Sequence, residues 1–401
     1  MSTFPFSSTL FWKAKIEAKF YRTLVNVSKS KNSQCACRLS LVKRLHRLFN
    51  FDNSLLSLPP TWDSVRQRKL ASHMSDPENK GSTTRGVNFD TLGSWNNRLT
   101  LPILYEQSVK KGKLIPRVPL EKIGQTSTLG RRKVNEDRYV LEELRPELLY
   151  FGIFDGHGGS YAAQYASDHL IDHLCYWMTQ TEDLKEVLKR SFCDMNNLLA
   201  RNLTYYHIDD DLFKTGTTAT VCLLRNSTEL VVGHVGDSIA ILCREGKPIR
   251  LSIDHDPENS EEASRIKSKG GHIIHNSQGV AHVNGRLAMT RSLGDVELKS
   301  FGVTAQPQLR SIEVKHGSDA FLVMCSDGLS FAISDEEIVN IVNNTDTPDE
   351  ACYRLSDQAQ HFGSEDNVTV IVIPLGAWGK YQKLTGVHMN FGRILTHSRN
   401  Y

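Results

Sequence analysis

Six short runs, apolar at nearly every position, constrain this chain more than anything else in it. They are "LLYFGIF" (148–154), "TTATVCLL" (217–224), "ELVVGHVG" (229–236), "IAILC" (239–243), "AFLVMCS" (320–326) and "VTVIVIPL" (368–375). A strand exposed on one face alternates polar and apolar residues. An uninterrupted apolar run reads instead as a strand covered on both faces. "RNST" separates two of the runs and "REGKP" follows another, and connections this short imply antiparallel pairing. Between the runs lie helical patterns: 160–178, 182–203 and 259–271, then "SDEEIVNIVNN" and "TPDEACYRLSDQAQHFG". Ser334 with Glu337 forms a capping box. Thr347 is an N-cap followed by Pro348 at the first helical position, with Glu350 in the first turn and Gly363 as the stop. Hairpins interleaved with helix pairs predict a layered α/β fold built on antiparallel sheets, not a parallel doubly wound sheet.

Charge divides the 401-residue chain unevenly. Residues 1–60 carry ten Lys/Arg and two acids, so a net +8 there against +3 overall leaves −5 for the remainder. A mildly acidic body lacks the basic face that nucleic-acid binding requires. No apolar run approaches the roughly 18–20 residues of a membrane helix. The basic, serine-rich, acid-poor segment 1–60 has the composition of a mitochondrial transit peptide, the alternative being a basic arm that binds anionic lipid or a partner. Residues 61–116 read as a polar linker and extension, 117–375 as the globular domain, and 376–401 as a mobile tail. The eight scattered cysteines form no C-x-x-C pair, which indicates neither zinc nor a disulfide framework and fits a reducing compartment.

The chemistry-bearing residues stand where strands meet loops. "NEDRYV" holds Glu136 and Asp137, "FDGHGG" holds Asp155, "VGDS" holds Asp237, "CSDGLS" holds Asp327, and "SEDNVTV" holds Asp366. One Asp-Gly at a strand end is most simply a turn. Five acidic sites from distant parts of the chain point to a cluster, and carboxylates that converge repel one another unless cations join them. An oxygen-only ligand set suits Mg²⁺ or Mn²⁺ rather than zinc. Two such ions about 4 Å apart would yield a hydroxide nucleophile at neutral pH. His157 is offset by two from Asp155, which suggests a partner rather than a ligand. Arg131, Arg132 and Lys133 precede the first acidic pair, and the planar fork of arginine suits a phosphate.

The ordered set "RRKVNED", "FDGHGG", "TGTTATVCLL", "VGDS", "GGH…VNGRLAMTRSLGD", "CSDGL" and "EDNVTVIVI" resembles the metal-dependent serine/threonine protein phosphatases of the 2C type over about 117–375. The resemblance implies a central sandwich of two antiparallel sheets flanked by helix pairs, with the metal centre at one end. It also implies two Mn²⁺ or Mg²⁺ per domain and hydrolysis of phosphoserine or phosphothreonine by a metal-bound hydroxide, without a phosphoenzyme. Asp155 would bridge both ions and Gly156 would offer its carbonyl to one. Asp327 and Asp366 would complete one shell, and Glu136 and Asp137 would serve the other ion directly or through water. Arg132 would clamp the phosphate and His157 would protonate the leaving oxygen. Asp237 would help hold a weaker third ion. Phe331 stands where many members carry an acid, which bears on that third site. Asp295 of "TRSLGD" reads as structural, and 254–285 corresponds to a flap that contacts protein substrates. "VNGRLAMTRSLGD", "LCREGKPI" and "PLGAWGKY" resemble mitochondrial members that act on the branched-chain α-keto acid dehydrogenase complex, which implies a matrix location. Two other readings compete. One is an idle phosphatase-fold adaptor that binds phosphoproteins. The other is a nucleotide-binding enzyme, whose glycine spacing "DGHGG" does not fit.

Overall fold

The computed structural model describes residues 115–205 and 213–382. The basic segment 1–60, the linker up to residue 114 and the tail from residue 383 lie outside them. Ten strands make two five-stranded sheets. The first has the spatial order β1 (Gly124–Thr128), β10 (Val368–Pro374), β9 (Asp319–Cys325), β6 (Ile239–Arg244), β7 (Lys247–Arg250). The second runs β8 (Gln308–Glu313), β5 (Glu229–Val235), β4 (Ala219–Arg225), β3 (Leu148–Phe154), β2 (Arg138–Arg145). Every pairing within them is antiparallel.

Alternation along the central strands sorts the core into layers. Phe151 and Ile153 of β3, Cys222 and Leu224 of β4, Leu242 of β6, Met324 of β9 and Ile371 of β10 meet in one cluster between the sheets. Their neighbours point outward. Tyr150 and Phe154 join Val221 and Leu223 under the helices α1 (Tyr161–Trp177) and α2 (Leu184–Tyr205). Ile241, Val323 and Val370 join Ile338 and Leu355 of α4 (Asp335–Asn343) and α5 (Pro348–His361). The result is helix, sheet, sheet, helix, the layered sandwich expected. Double-sided burial explains why β3 is apolar throughout, and β9 from Ala320 to Cys325.

The helix ends follow the capping chemistry read from the sequence. Thr347 accepts a hydrogen bond from the Glu350 N–H, Pro348 opens α5, and Gly363 takes φ 92° after its end. At α4 the Ser334 N–H and hydroxyl both donate to Glu337 Oε2, at 3.1 and 2.8 Å, while Ser334 Oγ accepts from the Glu337 N–H. Ser334→Ala is expected to cost about 1 kcal/mol. That lowers the melting temperature by about 2–4 °C in a domain of this size, and thermal melts with an activity assay alongside check that only stability moves.

Chain beyond β10 is also packed. Ala377 and Tyr381 are buried, Trp378 meets Phe321 edge-on at 5.8 Å, and the Ala377 N–H donates to Asp319 O. Packing thus continues through Tyr381, beyond the last apolar run. The six described cysteines are all free thiols.

Candidate metal centre

Antiparallel order brings the right strand ends to one edge of the sandwich. β3 ends at Phe154, beside Arg138 at the start of β2. β9 ends at Cys325, beside Ile239 of β6 and Val370 of β10. The loops at this edge carry Glu136, Asp137, Asp155, Asp237, Asp327 and Asp366. Asp155 and Asp137 thus come from the second sheet and Asp327 and Asp366 from the first. Asp237 sits where the chain crosses between the two, from β5 to β6.

Three of these acids converge. One carboxylate oxygen from each of Asp155, Asp237 and Asp327 lies within 4.8 Å of the other two, each side chain being partly open to solvent. The backbone beneath them is pinned. Asp155 N–H donates to Thr218 Oγ1, Asp155 O accepts from Thr218 N–H and Thr217 Oγ1, and Thr218 Oγ1 pairs with Ser238 Oγ at 2.8 Å. The sequence showed "TGTTATV" as a strand start, and these hydroxyls are its contribution to the site. A side chain at Gly156 would collide with the Glu136 carbonyl, at 2.7 Å from its Cβ, so the turn after Asp155 admits only glycine.

Crowding shows in the acids themselves. Burial, then the charges of Asp327, Asp137 and Asp237, pushes the Asp155 carboxyl well above the usual range. Burial with Asp237 and Asp366 pushes Asp327 up to about 8. Asp237 is raised chiefly by burial, and its Oδ1 is buried without a hydrogen-bond partner among the described residues. An anionic, oxygen-only cluster with an orphaned carboxylate oxygen fits a hard divalent cation.

The other predicted residues surround this group in distinct ways. Asp137 is buried and accepts from Ser326 Oγ at 2.9 Å and Thr369 Oγ1 at 2.7 Å. Glu136 accepts from the Gly159 N–H at 3.1 Å. Asp366 accepts from Arg132 Nη2 at 2.6 Å, and its charge still reaches Asp327 and Asp137. Arg131 pairs with Glu365 at 2.9 Å. Asn367, not singled out from the sequence, ties this arginine loop down. Its Oδ1 accepts from the Glu136 N–H, and its Nδ2 donates to the carbonyls of Leu129 and Val134. Phe331 is exposed at the end of the one-turn helix that Asp327 begins. Asp237, expected at a weaker third position, stands inside the three-carboxylate group.

His157 lies on a miniature sheet that periodicity cannot reveal. Gly156–His157, Gly216–Thr217 and Leu293–Gly294 pair as three two-residue strands. They carry Asp295 to the histidine ring, where both its oxygens lie 2.9–3.0 Å from His157 Nε2. Burial alone would lower the His157 pKa, and the Asp295 carboxylate outweighs it and raises it.

The family model described as protein phosphatase 2C matches residues 123–368. The chain belongs to the protein phosphatase 2C family. It is accordingly a protein serine/threonine phosphatase, of a metal-dependent family, with an acidic cluster suited to the metal. One relative, "Protein phosphatase 1K, mitochondrial" of Xenopus laevis, is 46% identical over 309 residues, which is 77% of this chain and 82% of that one. "Probable protein phosphatase 2C 76" of Arabidopsis thaliana is 38% identical over 255 residues, 62% of this chain and 58% of that one. Among solved structures, a serine-threonine phosphatase 2C from Toxoplasma gondii matches with TM-score 0.56 at 22% identity, covering 63% of this chain and 94% of that one. A C. elegans sex determining protein matches with TM-score 0.58 at 22% identity, covering 67% of each chain. At that identity the two structures establish the phosphatase 2C fold, and it is the sandwich described above.

Proposed function

We propose that this phosphatase 2C domain uses Mn²⁺ or Mg²⁺, two ions with a weaker third, to hydrolyse phosphoserine and phosphothreonine on a mitochondrial phosphoprotein. The observation that carries the reading is the convergence of Asp155, Asp237 and Asp327, one of whose oxygens has no other partner. When bound, such cations activate a water as nucleophile and offset charge on the phosphoryl oxygens.

The residues of the chain do the rest. Asp155 would serve both ions, with the Gly156 carbonyl on one and Asp327 and Asp366 completing the shell of the other. Glu136 and Asp137 would serve the second ion directly or through water, and Asp237 would help hold a weaker third. Arg132 is exposed and its guanidinium rests on Asp366. A phosphate dianion competes for the same fork with two parallel hydrogen bonds. His157 delivers a proton to the departing seryl or threonyl oxygen, a role its near-neutral ordinary pKa suits.

The mitochondrial assignment rests on the name of the Xenopus relative and on the basic, acid-poor N-terminal segment. The matrix and the branched-chain α-keto acid dehydrogenase complex are proposed on the resemblance of "VNGRLAMTRSLGD", "LCREGKPI" and "PLGAWGKY". The catalytic domain is proposed to comprise 117–375 with residues 376–382 packed against it, and the basic segment 1–60 to act as a transit peptide.

A phosphothreonine peptide assay tests the chemistry. Activity is expected with Mn²⁺ or Mg²⁺ and not with EDTA, with recovery on adding metal back. Turnover that persists in EDTA would overturn the reading. Phosphoproteomics of mitochondria lacking the protein tests the target, and unchanged E1α phosphosites would remove that substrate.

A further inference from the structure

The contact between His157 and Asp295 is more elaborate than packing requires. Asp295 is 4% exposed and adopts a left-handed backbone, φ 46° and ψ 48°. That region is uncommon outside glycine, and aspartate and asparagine are among the residues that enter it. Here the Asp295 N–H donates to Thr215 O at 3.0 Å, and Ser292 Oγ donates to Asp295 Oδ2 at 2.5 Å. Lys299 Nζ in turn donates to the Ser292 carbonyl at 2.7 Å and to Ser292 Oγ at 3.3 Å. A hydroxyl and an ammonium therefore keep the carboxylate in its ionised, acceptor-only form.

An ionised carboxylate facing Nε2 requires that this nitrogen carry a hydrogen. The other ring nitrogen, Nδ1, is buried and has no hydrogen-bond partner among the described residues. The ring also feels the charge of Asp237. The approach depends on Gly216, which pairs with both His157 and Gly294. A Cβ on Gly216 would overlap Asp295 Oδ2 and His157 Nε2.

Resting on the phosphatase reading above, we propose that Asp295 is a positioning residue for His157: it engages Nε2–H, fixes the ring, and leaves Nδ1 as the atom that protonates the leaving group. In the step itself a hydroxide oxygen derived from water forms a bond to phosphorus and the phosphorus–oxygen bond to the seryl or threonyl oxygen breaks, its electron pair going to that oxygen, so that phosphate departs as hydrogenphosphate. The oxygen takes the proton from Nδ1, and the ring is left neutral with its hydrogen on Nε2. Asp295 stays a carboxylate throughout, and water that enters as the alcohol leaves, beside a side chain that is 27% exposed, restores the proton to Nδ1. Ser292 and Lys299 hold Asp295 in place for this.

A purely structural Asp295 would tie the 292–299 loop to the miniature sheet and nothing more. Leaving-group dependence separates the two. p-Nitrophenolate departs without a proton, whereas a threonyl oxygen needs one. Asp295→Asn keeps the shape and tolerates the left-handed backbone, but no longer fixes which nitrogen carries the hydrogen. In saturating Mn²⁺, its kcat on a phosphothreonine peptide is expected to fall by about 100-fold, while that on p-nitrophenyl phosphate changes by less than about threefold. Equal losses on both substrates, or no loss on the peptide, would overturn the proposal. Should Asp295→Asn not fold, Ser292→Ala decides by the same ratio: a loss confined to the peptide supports it and an equal loss rejects it. A wild-type protein inactive on both substrates with Mn²⁺ would instead reject the phosphatase reading itself.

Discussion

Asp155→Asn is expected to lower phosphatase activity by about 1,000-fold and, in EDTA, to make the protein more stable than wild type. The first half follows from removing one of three converging ligands, since the charge stabilisation a metal centre supplies is worth several kcal/mol and each 1.36 kcal/mol is tenfold in rate. The second half follows from repulsion. Without cations, Asp155, Asp237 and Asp327 hold their oxygens within 4.8 Å of one another. Burial and neighbouring charge raise the carboxyls of Asp155 and Asp327, the latter to about 8. A carboxyl raised in the folded state keeps its proton over a pH range where the unfolded chain has released it, so stability falls as pH rises through that range. The wild-type melting temperature in EDTA should therefore drop between about pH 4 and 8, and the Asp155→Asn slope should be shallower. Calorimetry in EDTA and in Mn²⁺ checks both halves. Near-wild-type turnover in the variant, or a metal-free variant less stable than metal-free wild type at pH 8, would refute the cluster as a cation site.

Asp319→Ala is expected to cost about 3 kcal/mol, the low end for breaking a buried charge pair, and about 6–12 °C in melting temperature. Asp319 is fully buried at the start of β9. Its two oxygens accept from Arg244 Nε at 2.6 Å and Nη2 at 2.8 Å, and Oδ2 also accepts from the Lys315 N–H at 2.7 Å. Its carbonyl holds the Ala377 N–H. One side chain thus joins β6, the 315–319 turn and, through its backbone, the segment after β10. Arg244 retains some exposure and can turn toward water, which favours the lower figure. Asp319 pairs with Arg244 at one end of the ladder and Cys325 with Ile239 at the other, so Asp319 lies away from the acidic cluster. Thermal melts should shift while kcat on a phosphopeptide does not, and a shift below about 2 °C would show the pair to be energetically idle.

The contrast between β3 and β2 shows what sequence can reveal of this fold. "LLYFGIF" is buried at every position of β3, so its composition announces a covered strand. "RYVLEELR" forms β2 at the sheet edge, where only Leu144 is buried, and nothing in it separates strand from helix. The other outer strands, β1, β7 and β8, are equally mute. The acids were legible because each sits at a strand-to-loop junction, and antiparallel order puts those junctions at one edge. The pairing of His157 with Asp295 was not. It depends on three strands of two residues each, too short for any periodicity, joined across 138 positions of sequence. The packing just after β10 was illegible for a related reason: Trp378 and Tyr381 pack through turns rather than a regular element.

Because the acids belong to different layers, their spacing is set by what lies between the sheets. Asp155 follows a strand of one sheet and Asp327 a strand of the other, and the filling between them includes Phe151, Ile153, Cys222, Ala240 and Met324. Close-packed interiors transmit added volume as displacement rather than absorbing it. The thickness of this apolar filling is therefore a calibration of the catalytic edge. A methyl group added at Ala240, three residues from Asp237, would be felt as a change in turnover while the fold still stood, so the interior of the sandwich tunes chemistry it never touches.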